Sequence, residues 1–594
     1  MKMTEFARIL ETSSFLSLCR GLRQPGDSVF PGRKLRGLKG GEIRTLQKQG
    51  NIADNWANVS VIDDFSPLRI YGNFFLGPCI LGRFAETTHH AGNADLPSGI
   101  FYSTLSNVIV ADEALVHRCP LVSRYILDAE SCVSASRLEG ESSSTFGNGI
   151  MINAGIETGG RSVPVFYDLN PRFAEKAARG RAGGLDADEL KDFLASYAAA
   201  ARLPSGYAGK KSKIHGAGLV SASFIGPWVS VEGALRIRGC TLFAEDQARV
   251  YAGAGCVLDD TVVRPGCRFD TQAVISRSFF AEASGAQRQA KITESYIGPN
   301  SVIAEGEVSS SFVGPFTGFH HQSLLIAAFW PGGKGNVGHG ANIGSNHSSR
   351  MPDGELWPGE GMFFGLGCNI KYPADYSRAP YTIIATGVTA LPQKVEYPFS
   401  LITQQELALP EIPSGYNRLV PAWVLKDNFY ALWRSREKNL RRGRTPLMRL
   451  TTDPLHEGNI ALMKEALEML SSAARKKDIY LPGDIPGTGK NILREEDRAA
   501  AAETYAWFIR FAYLRGLFAP KPEGAKAETP ADGLAAEYLA CLDRLYAMAL
   551  SSRSKDNERG AKIIPDYAET HAEACGDEYI LGMKKYIETE KNRL

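Results

Sequence analysis

An aliphatic residue followed by glycine recurs in steps of six through the middle of this chain. Val337-Gly338 is followed six residues later by Ile343-Gly344. Ile225, Val231, Ile237 and Phe243 are six apart, as are Val257, Val263, Phe269 and Ile275. Four aliphatic-Gly-Pro triplets punctuate the same territory: Leu76-Gly77-Pro78, Ile225-Gly226-Pro227, Ile297-Gly298-Pro299 and Val313-Gly314-Pro315. A period of six matches neither a helix at 3.6 nor an amphipathic strand at 2. It fits a parallel β-helix, in which one inward aliphatic residue marks each short strand and a turn follows. The expected fold is therefore mainly β with α additions: a β-helix solenoid with a helical insert and a helical C-terminal domain.

Composition shifts set the expected boundaries. Residues 1–57 read as a helical lead-in, with Gly40-Gly41-Glu42 opening a helix and Gly50-Asn51 closing it. From Val59 the chain turns to short β-rich pieces separated by Ser, Asn and Gly, and the solenoid is expected over 58–410. The stretch from about 168 to 205 is rich in Ala, Glu, Lys, Arg and Leu and reads as a helical hairpin inserted into it. Residues 411–594 carry long amphipathic helical segments and read as a helical domain or cap. A cap has a physical task, because an open solenoid end exposes unpaired strand edges.

Charge excludes some partners. With 67 basic and 65 acidic residues, no global field points to nucleic acid or an acidic membrane. The N-terminal residues lack a continuous apolar core and a small-residue cleavage site, and no run of about 18 apolar residues occurs. The expectation is a cytoplasmic protein with no membrane span. Ten cysteines without a CxxC pair, several at core-like positions (Cys240, Cys256, Cys267), read as reduced thiols.

Histidines carry the chemical signal. His320, His321, His339 and His347 fall within one short stretch, with His89-His90 and His215 elsewhere. A coil of three hexads takes 18 residues, which would stack His321 and His339 on adjacent coils. Histidine accepts a proton near neutral pH, so His339 is the candidate base, with His321 and His347 beside it. The plain alternative is turn histidines bonded to backbone. The segment 336–350 adds Asn346, Ser348 and Arg350, and with His320 these are candidate substrate contacts. The Pro- and Gly-rich stretch that follows contains Trp357, whose loop either binds a ligand or packs on the helical domain. Arg161 follows Gly159-Gly160 and either holds an anion or marks a sharp turn. Gly483–Asn491 echoes a phosphate-binding loop but has the wrong spacing, and Asn follows its Lys; it reads as an inter-helix loop. The histidine spacing does not match a metal triad, so no metal is expected.

The hexads VGHGAN–IGSNHS, IGPNSV–IAEGEV and IGPWVS–VEGALR resemble the left-handed β-helix, hexapeptide-repeat superfamily, over about residues 58–402. That resemblance implies a left-handed coil and an acyltransferase, usually a trimer, with a His general base and acyl-CoA or acyl carrier protein as donor. The segments NWANVSVIDDF…FFLGPCILG, GNGIMINAGIETGGRSVPVFYDL and HGANIGSNHSSRMPDGELWPGEGMFFG look more closely like a family of large bacterial β-helix proteins known only as a domain of unknown function. That likeness implies a fold and a bacterial cytosolic origin, with no reaction attached. Two functional expectations follow. One is acyl transfer to a sugar or nucleotide-sugar, in a homo-oligomer. The other is a non-catalytic scaffold that binds carbohydrate or protein. An enzyme gathers its histidines on one open cleft; a scaffold disperses them along turns.

Overall fold

The computed structural model describes residues 3–91, 94–344, 354–406, 410, 412–445, 450–473, 476–519 and 532–593. The chain is a mainly β, parallel solenoid of about 19 turns with a C-terminal helical region. It divides into two compact units, residues 1–331 with 444–446, and residues 332–443 with 447–594. Among the described residues no helix is long and apolar enough to cross a membrane.

Within the first unit, three ladders of parallel strands run from coil to coil. One inner row is Ile214, Val231, Ala252 and Phe269; a second is Val220, Ile237, Leu258 and Ile275; a third is Ile225, Leu242, Val263 and Phe280. All twelve are fully buried. The regular step between coils is 17 residues, as in Val257↔Val274 and Val274↔Lys291. The expected 18-residue coil is thus corrected: the steps around one turn are six, five and six. Leu242 takes the core position expected of Phe243, and Leu258 that expected of Val257.

The short step has a physical cause. Its corner holds one left-handed residue per coil: Ala222 (φ 45°), Asp260 (47°), Arg277 (44°), Glu294 (50°), Ser310 (45°) and Ala327 (51°). That conformation turns the chain within one residue. A small side chain follows, and its oxygen bonds both ways. Ser278, Ser295 and Ser311 donate to the carbonyls of Ser276, Thr293 and Ser309 at 2.7–2.8 Å. In return the next coil's N–H donates to each hydroxyl, as Ser295 N does to Ser278 Oγ at 3.3 Å and Ser311 N to Ser295 Oγ at 3.2 Å. These backbone groups would otherwise be buried without partners. Cys240 sits in the same column, 3.1 Å from the Arg238 carbonyl, acting as a small apolar residue with a weak S–H donor.

The third ladder also carries an outward row: Tyr207, Phe224, Thr241, Val262, Phe279, Tyr296, Phe312 and Phe329. All eight are buried. Their cover is the insertion between strands Arg137–Glu139 and Gly206–Ala208, together with the N-terminal helix Ser14–Leu22. The insertion begins with a hairpin, Ile150–Asn153 against Ser162–Val165, before the expected helices Pro171–Ala178 and Ala187–Ala201. Along its path Phe146 and Phe15 pack on Phe224, and Asn148 Nδ2 donates to Thr241 Oγ1 at 2.9 Å. Further on, Met151 O accepts from Arg277, and Gly155 N donates to Ser310 O at 2.6 Å. A buried Arg264–Glu282 pair at 3.0 Å, with Arg264 also donating to Tyr167 O, pins the middle. The insertion is a strap along an aromatic face.

In the second unit the inner rows are Val337–Phe364–Ile384–Ile402, Ile343–Ile370–Ala390 and Leu356–Ala374–Gln393. Strand Asn417–Val420 pairs antiparallel with Leu401–Thr403 and ends that ladder's parallel run. Helices Phe429–Arg442, Glu457–Ser471, Glu495–Leu517, Asp532–Ile563 and Glu578–Arg593 follow. The segment Gly483–Asn491 joins two antiparallel strands, Ile479–Tyr480 and Asn491–Arg494, rather than two helices.

Candidate functional site

The last three coils of the second unit form a small outward platform. Strands Leu356–Trp357, Ala374–Asp375 and Gln393–Lys394 lie parallel and in register. Because side chains alternate across a strand, Leu356 and Ala374 turn inward and are buried. Trp357, Asp375 and Lys394 form the outward row, at the roughly 4.8 Å spacing of neighbouring strands. Just ahead of the strands, two residues before each of these, Glu355, Pro373 and Pro392 make a second row along the same groove. Between the rows runs a groove of about 490 Å³.

The platform is held from beneath. Gln393 donates through Nε2 to Tyr376 Oη at 3.0 Å, and its Oε1 accepts from Lys490 N and Asn491 Nδ2 at 2.9 and 2.8 Å. The glycine-rich segment that echoes a phosphate loop thus serves to fix this strand. Asp375 Oδ1 accepts from Ser377 N and Oγ at 2.9 and 2.7 Å, which sets the carboxylate's direction. Lys394 Nζ lies 2.9 Å from Glu396 Oε1. An aromatic ring, two proline rings, two carboxylates and an ammonium therefore share one rigid face.

Of the other expected site residues, Asn346, His347, Ser348 and Arg350 lie outside the described residues. His339 is exposed on the turn after buried Val337, and its carbonyl accepts from Gly367 N at 2.9 Å. His320 and His321 are neighbours in the first unit, with ring centroids 6.0 Å apart. His321 adopts φ 57°, a turn conformation in which His is enriched. Its Nδ1 is 2.7 Å from Glu305 Oε2, while Arg288 Nη1 donates to Glu305 Oε1 at 3.0 Å. Arg288 first, and then His321, hold the Glu305 carboxyl below its usual range. His321 thus ends a cross-coil ion row of turn residues 288, 305 and 321. Arg161 donates to Ala178 O at 3.3 Å with its guanidinium 5.6 Å from the Phe329 ring centroid, inside the strap. His215 Nδ1 pairs with Ser134 Oγ at 2.7 Å, and His89 Nε2 with the Glu113 carbonyl at 2.7 Å. Among the described residues no three His, Cys, Asp or Glu side chains are grouped to hold a metal.

One cluster escaped the sequence reading. Glu360 is held by Lys334 Nζ at 2.6 Å, Tyr381 Oη at 3.1 Å and His456 Nε2 at 2.7 Å. Burial opposes its ionisation, but the His456 hydrogen bond and the Lys334 charge outweigh that and keep its pKa below normal. His456 Nδ1 accepts from Gly458 N at 3.2 Å and so caps helix Glu457–Ser471, which leaves Nε2 as the donor to Glu360. The cluster ties that helix to the last coils. Glu360 and His456 are 96 residues apart, and only the fold shows the pairing.

The sequence matches the family described as Domain of unknown function (DUF4954) over residues 35–408. It is also 26% identical, over 486 residues, to an "Uncharacterized protein" of Treponema pallidum (strain Nichols), an alignment that covers 79% of this chain. The chain spans 65% of the length of that relative.

Proposed function

The chain belongs to the DUF4954 family, and we propose that it is a solenoid scaffold that binds a sugar-type ligand in the Trp357 groove. What carries this reading is the outward grid of Trp357, Pro373 and Pro392 flanked by Glu355, Asp375 and Lys394. A sugar ring presents an apolar C–H face and a rim of hydroxyls. The electron-rich face of an indole suits the first. Carboxylates accept from hydroxyls, and an ammonium donates to them, which suits the second. Strands fixed by neighbouring coils keep the ordering cost of binding low. The nine buried free cysteines suit a reducing, cytoplasmic setting.

A second reading, acyl transfer from acyl-CoA or acyl carrier protein to a sugar or nucleotide-sugar, is favoured by one observation. His321 is oriented by a carboxylate on an exposed turn, an arrangement that suits a general base. This reading carries a homotrimer, checked by light scattering. A thermal-shift panel of sugars, nucleotide-sugars and acyl-CoAs separates the two. Under the binding reading a sugar stabilises the wild type, by about 2.7 kcal/mol at a hundred times its Kd, and Trp357→Ala loses that response. An acyl-CoA response abolished in His321→Ala moves the weight to transfer. Silence from all three ligand classes sinks both readings.

A further inference from the structure

The helical part of the second unit holds a larger cavity, of about 820 Å³, that neither reading above uses. It lies among helices Glu457–Ser471, Glu495–Leu517 and Glu578–Arg593, and its size matches sites for drug-sized ligands. Leu455, Ile460 and Ile509 give it apolar walls. Its lining carries five cations, Arg436, Lys464, Arg510, Arg515 and Arg593, against three carboxylates, Asp453, Glu457 and Glu590.

The lining itself holds two more cations than carboxylates, and among the described residues its ion pairs leave Lys464 and Glu457 without partners. Arg515 is matched by Asp453 at 3.0 Å and Arg593 by Glu590 at 2.5 Å, both within the lining. Arg510 and Arg436 are paired with Glu537 and Glu437, which are not part of it. Lys464 has no ion-pair partner among the described residues. The exposed Tyr513 ring has the Arg510 guanidinium 5.3 Å from its centroid, and the Arg436 guanidinium is 4.7 and 5.6 Å from the centroids of the Trp433 and Tyr586 rings. A flat ring system can stack on such surfaces while an anion meets the unmatched ammonium.

We propose that this cavity binds a nucleotide, with the base against Tyr513 and the apolar wall and the phosphates at Lys464. Gly516 supplies a clean test. It lines the cavity near the end of its helix, and a Cβ built there meets nothing within 4 Å. Leucine is a better helix former than glycine, so Gly516→Leu fills the cavity without harming the helix. Isothermal titration of the full chain with ADP and with UDP is expected to show binding by at least one of them. That binding falls at least about tenfold in both Gly516→Leu and Lys464→Ala, and is unchanged in Trp357→Ala. Adenosine and inorganic phosphate each bind at least about tenfold more weakly than the nucleotide. No binding of either nucleotide up to about 1 mM overturns the proposal. So does a folded Gly516→Leu variant that binds like wild type, or phosphate alone matching the nucleotide.

Discussion

The outward row from Tyr207 to Phe329 and the outward grid around Trp357 are built alike. Both are aromatic and apolar side chains on the outer face of in-register parallel strands. They differ in what the chain does with them. Over the first, a 66-residue insertion lies as a strap, and every residue of the row is buried. Over the second, a groove remains and Trp357 is half-buried, beside two carboxylates and an ammonium. The strapped row is apolar or aromatic apart from Thr241 and the Tyr207 and Tyr296 hydroxyls, and the buried Arg264–Glu282 pair beside it is taken up by the strap at Tyr167 O. The open one mixes rings with charge. The lesson is that the polar surround, more than the aromatic content, separates a face the chain covers itself from a face it leaves open.

Truncating one aromatic on each face is the largest test of that contrast. Phe312 is buried between Tyr296 at 4.4 Å and Phe329 at 5.4 Å. Phe312→Ala is expected to lower stability by about 3–5 kcal/mol in denaturant unfolding, with the cost of a cavity included. Trp357→Ala is expected to cost only about 1 kcal/mol, because its ring is half in water already, while it removes ligand binding. Equal destabilisation by the two would break the comparison.

The contrast was partly legible in the sequence. Steps of six gave the solenoid, and Trp357 stood out among Pro and Gly. The true repeat of 17 was hidden because adjacent residues such as Val257-Leu258 and Phe279-Phe280 are both apolar, so either could be the inward one. In Phe279-Phe280 one serves the core and the other the strap, whereas Val257 is the outward residue of the second ladder, in line with Arg236 and Val274. The strap's start was missed because its first element is a hairpin, Ile150–Asn153 with Ser162–Val165, whose pattern matches the coils around it. The Glu355–Pro373–Pro392 row could not be read at all, since it depends on coil lengths set by turns. The Arg288–Glu305–His321 row was visible only to a reader who already knew the 17- and 16-residue steps.

A gain of stability sharpens the same point. Tyr296 is stacked between Phe279 at 5.4 Å and Phe312 at 4.4 Å, and its hydroxyl has no hydrogen-bond partner among the described residues. Burial pushes its pKa far up, so the group stays neutral. An unpaired buried hydroxyl is a standing cost, and the strap gives it nothing. Tyr296→Phe is expected to raise stability by about 1 kcal/mol in the same unfolding experiment. A loss instead would mean that the strapped face needs its polar atom, and the distinction between the two faces would weaken.

The smallest expected effect is at His321, and it separates an edge from a site. Its ring sits on an exposed turn at the end of the Arg288–Glu305–His321 row. Exposed charges in water at physiological salt attract weakly, and the left-handed turn is also open to Asn. His321→Asn is therefore expected to leave thermal unfolding unchanged at neutral pH. The same variant has a sharp consequence only if transfer occurs: Asn cannot take up the acceptor's proton, so turnover is lost. Glu305→Gln then acts as its companion. It keeps the imidazole but removes the carboxylate that orients it, so turnover would fall without being abolished. If neither variant moves ligand binding, turnover or unfolding, His321 belongs with the turn residues that decorate the coils, and the Trp357 grid remains the face proposed for a ligand.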